Sequence, residues 1–217
     1  MTRFGVLRFP GSCDEVDALM ACRRFGDAEL LWHRDRDLKG VDAVVIPGGF
    51  SYGDYLRVGA IARFSPVMEA VAEFAAAGGP VLGICNGFQV LCEARLLPGA
   101  LLPNTSLRFV ARQVEIVVET TATPFTCACE EGERLSVPVK HTTGRWYHPD
   151  PASIADQVVF RYAPGQNPNG SIDDVAGVAN EAGNVVGLMP HPEHAVDRLT
   201  GSTDGGRLFE SLARVPA

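Results

Sequence analysis

Residues 81–93 restrict the fold more than any other stretch. A four-residue apolar run, Val81–Ile84, meets a helix-patterned segment, Gly87–Glu93, with no loop between them, and the junction reads Gly83-Ile84-Cys85-Asn86-Gly87. So short and apolar a run suits a strand buried on both faces. A strand that turns straight into a helix needs small flanking residues, because backbone segments crowd the turn. In an open α/β sheet the turn lifts the central side chain out of the carboxyl edge, where ligands bind. It also aims the next helix N-terminus at the Cys85 sulfur, favouring thiolate over thiol. Free cysteines are more often small core residues, and Cys92, one helix face further on, is read that way. At Cys85 the strand, the glycines and the helix all agree on a nucleophile.

The first half of the chain repeats this alternation. Residues 4–9 form a short strand ending in Pro10-Gly11-Ser12, and Asp14 is placed to cap a helix through Phe25 with Val16, Leu19, Met20 and Arg23 as its stripe. Leu30–Trp32 and Ala43–Ile46 are strand-length apolar runs. Ser65 as N-cap, Pro66 at the first helical position and the stripe Val67, Val71, Phe74, Ala75 mark a second helix, which Gly78-Gly79-Pro80 ends. Beyond residue 100 strands dominate: the alternating Val114, Ile116 and Val118, the pair Val137 and Val139, and the runs 158–162, 175–178 and 185–188. A helix over 205–214 carries Leu208, Phe209 and Leu212 on one side. Short connections between alternating strands and helices predict an α/β sandwich whose central sheet is mostly parallel and covered on both faces.

Composition removes several classes. With 217 residues, 46% hydrophobic and 21% charged, the chain fits one domain, 1–217, able to bury a core unaided. A net charge of −7 without a basic block argues against nucleic acid as a partner. No run approaches the roughly 18 apolar residues of a membrane span, and Arg8 interrupts the apolar start too early for a signal peptide. The six cysteines (13, 22, 85, 92, 127, 129) are scattered, which predicts reduced thiols in the cytoplasm rather than a disulfide framework. Cys127-Ala128-Cys129 has no second ligand pair at zinc spacing, so it reads as a strand of small residues and no metal is expected.

A thiolate that attacks a carbonyl needs a proton donor for the leaving group and a base for the second step. His191-Pro192-Glu193 follows the strand run 185–188. In an extended segment residues i and i+2 project to the same side, and Pro192 argues against a helix there. A Glu193 carboxylate on one ring nitrogen would orient the imidazole and support its charge, leaving the other nitrogen for sulfur. His33, His141, His148 and His194 compete; His194 is adjacent but breaks the alternation. Pro47-Gly48-Gly49-Phe50, after the strand 43–46, supplies a third element. Backbone N–H groups of Gly49 and Asn86 could together form an oxyanion hole.

With these pieces in place, the sequence resembles class I glutamine amidotransferases, and among them the glutaminase subunits of phosphoribosylformylglycinamidine synthases. PGGFSYGDYLRVGAIARF (47–64), GICNGFQVL (83–91), LPGALLPNTSLRF (97–109), NPNGSIDDVAGVANEAGNVVGLMPHPE (167–193) and GSTDG (201–205) carry the resemblance, which runs from about residue 4 to the final helix. Two segments depart from the family pattern, FPGSCD (9–14) and KHTTGRWY (140–147), and neither includes Cys85, His191 or Glu193. The resemblance implies a flavodoxin-like three-layer sandwich with β-rich additions in the second half. It implies glutamine hydrolysis with Cys85 as nucleophile, His191 as acid and base, and Glu193 orienting His191. Gly49 and Asn86 would hold the oxyanion, and Phe50, Gln89, Asn104 and Arg108 would help bind glutamine. Ammonia would pass to a large synthetase subunit, assembled with a small third subunit, that carries ATP and magnesium; no cofactor is expected on this chain. The absence of a Gly-x4-Gly-Lys-Ser/Thr loop fits that division. Three other readings remain open on the residues alone. They are a glutaminase for a different synthetase, a cysteine hydrolase of the DJ-1/PfpI type, and an assembly subunit with a vestigial triad.

Overall fold

Nine strands form one sheet in the computed structural model, which describes residues 1–214. In the first half β1 (Arg3–Arg8), α1 (Glu15–Arg23), β2 (Asp27–Trp32), β3 (Ala43–Ile46), α2 (Pro66–Ala76), β4 (Val81–Ile84) and α3 (Asn86–Glu93) alternate as expected. Then come β5 (Ala100–Leu102), β6 (Val110–Val118), β7 (Arg134–His141), β8 (Arg145–Tyr147), β9 (Val158–Tyr162), β10 (Val175–Ala179), β11 (Val185–Leu188) and α4 (Gly206–Arg214). The sheet order is β2-β1-β3-β4-β11-β10-β9-β6-β7, while β5 and β8 pair separately. From β2 to β11 every neighbouring pair is parallel. From β11 to β7 every pair is antiparallel, so the β-rich second half continues the central sheet.

This order fixes where a site can form. The connections β1→β2 and β3→β4 run in opposite directions across the sheet, so right-handed crossovers put α1 and α2 on opposite faces. On the α1 face, α4 packs alongside, with the Phe25 and Phe209 rings stacked at 6.2 Å. The result is the three-layer α/β sandwich that the sequence predicts. The carboxyl ends of the parallel neighbours β1, β3, β4 and β11 all open on one edge. The loops Gly11–Asp14, Pro47–Phe50, Cys85 and Met189–Glu193 therefore converge there.

Several local expectations need correction. Helix α1 stops at Arg23, and its buried face is Glu15, Ala18, Leu19, Ala21 and Cys22. Val16 and Met20 are exposed, because small residues rather than bulky ones lie against the sheet. Asp14 and Ser65 occupy N-cap positions but neither side chain caps its helix. The Ser65 hydroxyl is bonded to the Tyr52 hydroxyl instead, at 2.9 Å. The end of α2 is as expected: Gly78 has φ +91°, and the Gly78 and Gly79 N–H groups donate to Ala75 and Phe74 carbonyls in a Schellman motif. Cys127 and Cys129 lie in turns, not in a strand. The Thr123 hydroxyl accepts from the Phe125 N–H at 3.2 Å, a local bond that competes with pairing, and Pro124 removes a ladder donor. Among the described residues no helix is long and apolar enough to cross a membrane.

Candidate active site

Cys85 has φ +50° and ψ −102°, a strained conformation for a residue with a side chain. The strain is held from both sides. The Cys85 N–H donates to the Leu188 carbonyl of β11 at 2.8 Å, and its own carbonyl accepts from Gln89 N–H in α3 at 3.2 Å. Glycine is required beside it for close approach: a Cβ on Gly87 would sit 2.0 Å from the Ile46 carbonyl oxygen, and one on Gly83 would sit 2.5 Å from Leu91. The sulfur is thus fixed at the N-terminus of α3, at the carboxyl edge of the sheet.

His191 and Glu193 come together, though not by the expected route. Residues Pro192–His194 form a single 3-10 turn rather than an extended segment, with His191 at its N-cap. Proline is tolerated at the first position of such a turn because its missing N–H has no partner to lose there. His191 Nδ1 lies 2.6 Å from Glu193 Oε1, and both side chains are fully buried. His191 Nε2 and Glu193 Oε2 have no hydrogen-bond partner among the described residues. Burial works against charge on the ring, but Glu193 and a Cys85 thiolate outweigh it and hold the His191 pKa above its ordinary value. His191 Nε2 makes no hydrogen bond to Cys85, and catalytic hydrogen bonds are often long before substrate tightens a site.

The second half of the sheet closes over this edge. The Pro138 carbonyl of β7 accepts from the His191 N–H at 2.8 Å, and the Lys140 carbonyl lies 3.9 Å from the Cys85 sulfur. Pro138 is accommodated because β7 is the sheet's edge strand. Three groups that sequence reasoning passed over face the pair. Asp14, buried, lies 3.7 Å from His191 Nδ1 through Oδ2, while its Oδ1 accepts from Lys140 Nζ at 2.5 Å and stands 3.3 Å from His194 Nε2. His194 also reaches Glu193 Oε1 at 3.5 Å, so it belongs to the cluster despite breaking the alternation. Asp14 and Lys140 fall in segments 9–14 and 140–147, outside the motifs from which the site was read. No local motif marks them; only the convergence of distant loops does.

The Gly48-Gly49 turn sits beside the elbow. Bonds from Phe50 N–H to the Gly11 carbonyl and from Cys13 N–H to the Gly48 carbonyl flank Gly49 in a small antiparallel bridge with Ser12. Gly49 has φ +141°, and a Cβ there would lie 2.7 Å from Gly11 O and Cys13 N. Its N–H, like that of Asn86 at the start of α3, donates to no described residue. The Asn86 side chain ties the two together, its Oδ1 accepting from the Ser51 N–H at 3.0 Å. The Gln89 amide is engaged at both ends, accepting from Asn86 at 2.8 Å and donating to the Thr143 carbonyl at 2.6 Å. Asn104 is fully buried and joins the Arg108 and His141 carbonyls to the Gly144 N–H. The Arg108 guanidinium bonds no described residue, and Phe50 is half exposed. Of the other histidines, His33 bonds Tyr52 at 2.7 Å, and His141 bonds Asn169 at 3.1 Å with its pKa pushed down to about 4 by burial.

Comparison with known proteins identifies the family. Residues 1–208 match the model of the CobB/CobQ-like glutamine amidotransferase domain. The phosphoribosylformylglycinamidine synthase subunit PurQ of Rubrobacter xylanophilus is 58% identical, covering 97% of each chain. The same subunit of Corynebacterium glutamicum is 55% identical, covering 96% of each. A chain in the structure of PurLQS from Thermotoga maritima superposes with a TM-score of 0.91 at 43% identity, over 98% of each chain. A glutamine amidotransferase from Thermotoga maritima, at 18% identity and a TM-score of 0.57 over 98% of this chain and 90% of that one, shares the fold. The chain belongs to the CobB/CobQ-like glutamine amidotransferases and, within them, to the family of PurQ subunits of phosphoribosylformylglycinamidine synthase.

Proposed function

We propose that this chain hydrolyses glutamine for a phosphoribosylformylglycinamidine synthase, its residues 1–217 acting as one glutamine amidotransferase domain. The observation that carries the reading is the buried His191, held by Glu193 at 2.6 Å on one nitrogen and left open on the other, beside a cysteine on a strained elbow. The Cys85 thiolate attacks the side-chain amide carbon of glutamine, forming a C–S bond and an oxyanion. The free N–H groups of Gly49 and Asn86 receive that oxygen. As the C–N bond breaks, His191 gives its Nε2 proton to the departing nitrogen, releasing ammonia and leaving a γ-glutamyl thioester. His191 then takes a proton from water, which attacks the thioester; the C–S bond breaks and glutamate leaves. Glu193 keeps Nδ1 protonated throughout and supports the ring's charge.

Around this centre, Asn104 positions Arg108, whose unpaired guanidinium suits the substrate's carboxylate, and Phe50 borders the opening. Gln89 acts by bracing Asn86 against Thr143, since both ends of its amide are occupied. Ammonia passes to a large synthetase subunit, assembled with a small third subunit, which uses ATP and magnesium to make the amidine of formylglycinamide ribonucleotide in cytoplasmic purine synthesis. The PurLQS likeness supports these partners. The test is ammonia release from glutamine by the purified chain, alone and with the synthetase subunits. Release that rises on mixing supports the reading. No release in either state defeats it.

A further inference from the structure

Asp14 is a buried carboxylate that the reaction as described does not use. At a helix N-cap an aspartate ordinarily accepts an N–H bond that stabilises the helix by about 1 kcal/mol. Here no such bond forms, and both oxygens are turned to the active site. Oδ2 lies 3.7 Å from His191 Nδ1, and Oδ1 holds Lys140 and His194. One atom each of Asp14, His191, Glu193 and His194 lies within 4.8 Å of the others. The packing preserves this approach: a Cβ on Gly48 would meet Asp14 Oδ2 at 2.3 Å and the His191 ring at 2.7 Å. Asp14 N–H is anchored on the Gly48 carbonyl at 3.3 Å, which ties the backbone of Asp14 to the Gly48-Gly49 turn.

We infer that Asp14 is a positioning residue for His191, a second carboxylate supporting the imidazolium alongside Glu193, and that Lys140 limits its pull by pairing with it. This rests on the glutaminase reading. The groups facing the ring are Cys85 at the elbow, Glu193 and His194 on its own turn, Asp14 from the β1–α1 loop, and Lys140 and His141 from β7. His141 carries no charge near neutral pH, because burial pushes its pKa down to about 4. Lys140 stays a cation, since Asp14 outweighs the effect of burial. The Asp14 carboxyl is partly desolvated, yet His194, Lys140 and His191 hold its pKa far below the usual carboxylate range. A fixed anion and a fixed cation thus bear on one titrating ring. An ammonium on Asp14 is also what keeps two carboxylates from binding the His191 proton too tightly to release it to nitrogen.

The charges predict opposite effects from two changes that each remove one charge. In a full-length Cys85→Ala chain with isotope-labelled histidine, the His191 ring is titrated by NMR. Asp14→Asn is expected to lower its titration midpoint and Lys140→Gln to raise it, each by about one pH unit, a tenfold change in proton affinity. With Cys85 present, Asp14→Asn should lower kcat for glutamine while leaving KM unchanged. A purely structural pair would move neither midpoint, or both the same way, and either result overturns the inference. If Asp14→Asn does not fold, Lys140→Gln decides: an upward shift sustains it, and no shift or a downward one refutes it. The ring titration needs no turnover, so its outcome is separate from that of the ammonia-release assay.

Discussion

Replacing Glu193 by glutamine keeps shape and removes one charge from the most buried contact of the site. Glu193 Oε1 lies 2.6 Å from His191 Nδ1, and both side chains are excluded from water. A hydrogen bond to a charged group contributes roughly 1.5–3 kcal/mol, and exclusion of water favours the upper part of that range. At about 1.36 kcal/mol per decade, losing it from the transition state lowers kcat about 10- to 150-fold. The amide has no good orientation. With its oxygen toward Nδ1 it supports the ring's charge only weakly, and its NH2 then occupies the place of Oε2, which has no partner among the described residues. With its NH2 toward Nδ1 it forces the wrong tautomer. Steady-state ammonia release in the presence of the synthetase measures kcat, while the rate of Cys85 alkylation checks that the nucleophile is intact. The reasoning predicts a depressed kcat with Cys85 still reactive, and a greater loss for His191→Asn, which removes proton transfer itself. An unchanged kcat in Glu193→Gln would refute it.

Other outcomes follow from the same geometry. A glutamine-analogue electrophile should label Cys85 and spare Cys92, Cys127 and Cys129. Burial raises the Cys92 thiol and pushes Cys129 up to about 11, and neither these nor Cys127 sits at the elbow; peptide mass mapping decides. Asp14 has a native pKa below its unfolded value of about 3.9, so its charge stabilises the fold above that value and the benefit is lost as pH falls through the native one. Urea melts of Asp14→Asn and the parent chain should therefore differ at pH 7 and converge at strongly acid pH; a constant gap would contradict this. Tyr55 is 74% exposed on the loop that follows the Gly48-Gly49 turn, so Tyr55→Ala should weaken synthetase-stimulated hydrolysis more than basal hydrolysis. Equal losses in the two assays would exclude that role.

What the sequence reveals of the site depends on how local each contact is. Cys85 is legible because strand, flanking glycines and helix adjoin in the chain, and the structure shows the crowding at Gly87 that this pattern implies. The His191–Glu193 pairing is legible from spacing, even though a 3-10 turn and not an extended strand delivers it. Asp14 was misread for a physical reason: an aspartate before a helix has a sufficient local explanation as a cap, and the carboxylate's true partners lie 126 and 180 residues away. Lys140 likewise reaches the site only because β7 returns from the far edge of the sheet to cover it. In α1 the stripe was misassigned because Ala18, Ala21 and Cys22 pack closely on the sheet while carrying little hydrophobic signal. The strand and helix alternation of the parallel half is readable, since buried strands and the glycine end of α2 are marked within a few residues, while the caps and the α1 face are not.

The central claim is that glutamine reaches ammonia only through a covalent bond to Cys85. The most direct measurement is amidine formation by the complex assembled with Cys85→Ala, supplied in parallel with glutamine or with ammonium salt. The account predicts no product from glutamine and undiminished product from ammonium, because the synthetase chemistry does not need the thiol. Product from glutamine in the variant, or loss of the ammonium-dependent reaction along with it, would contradict the account.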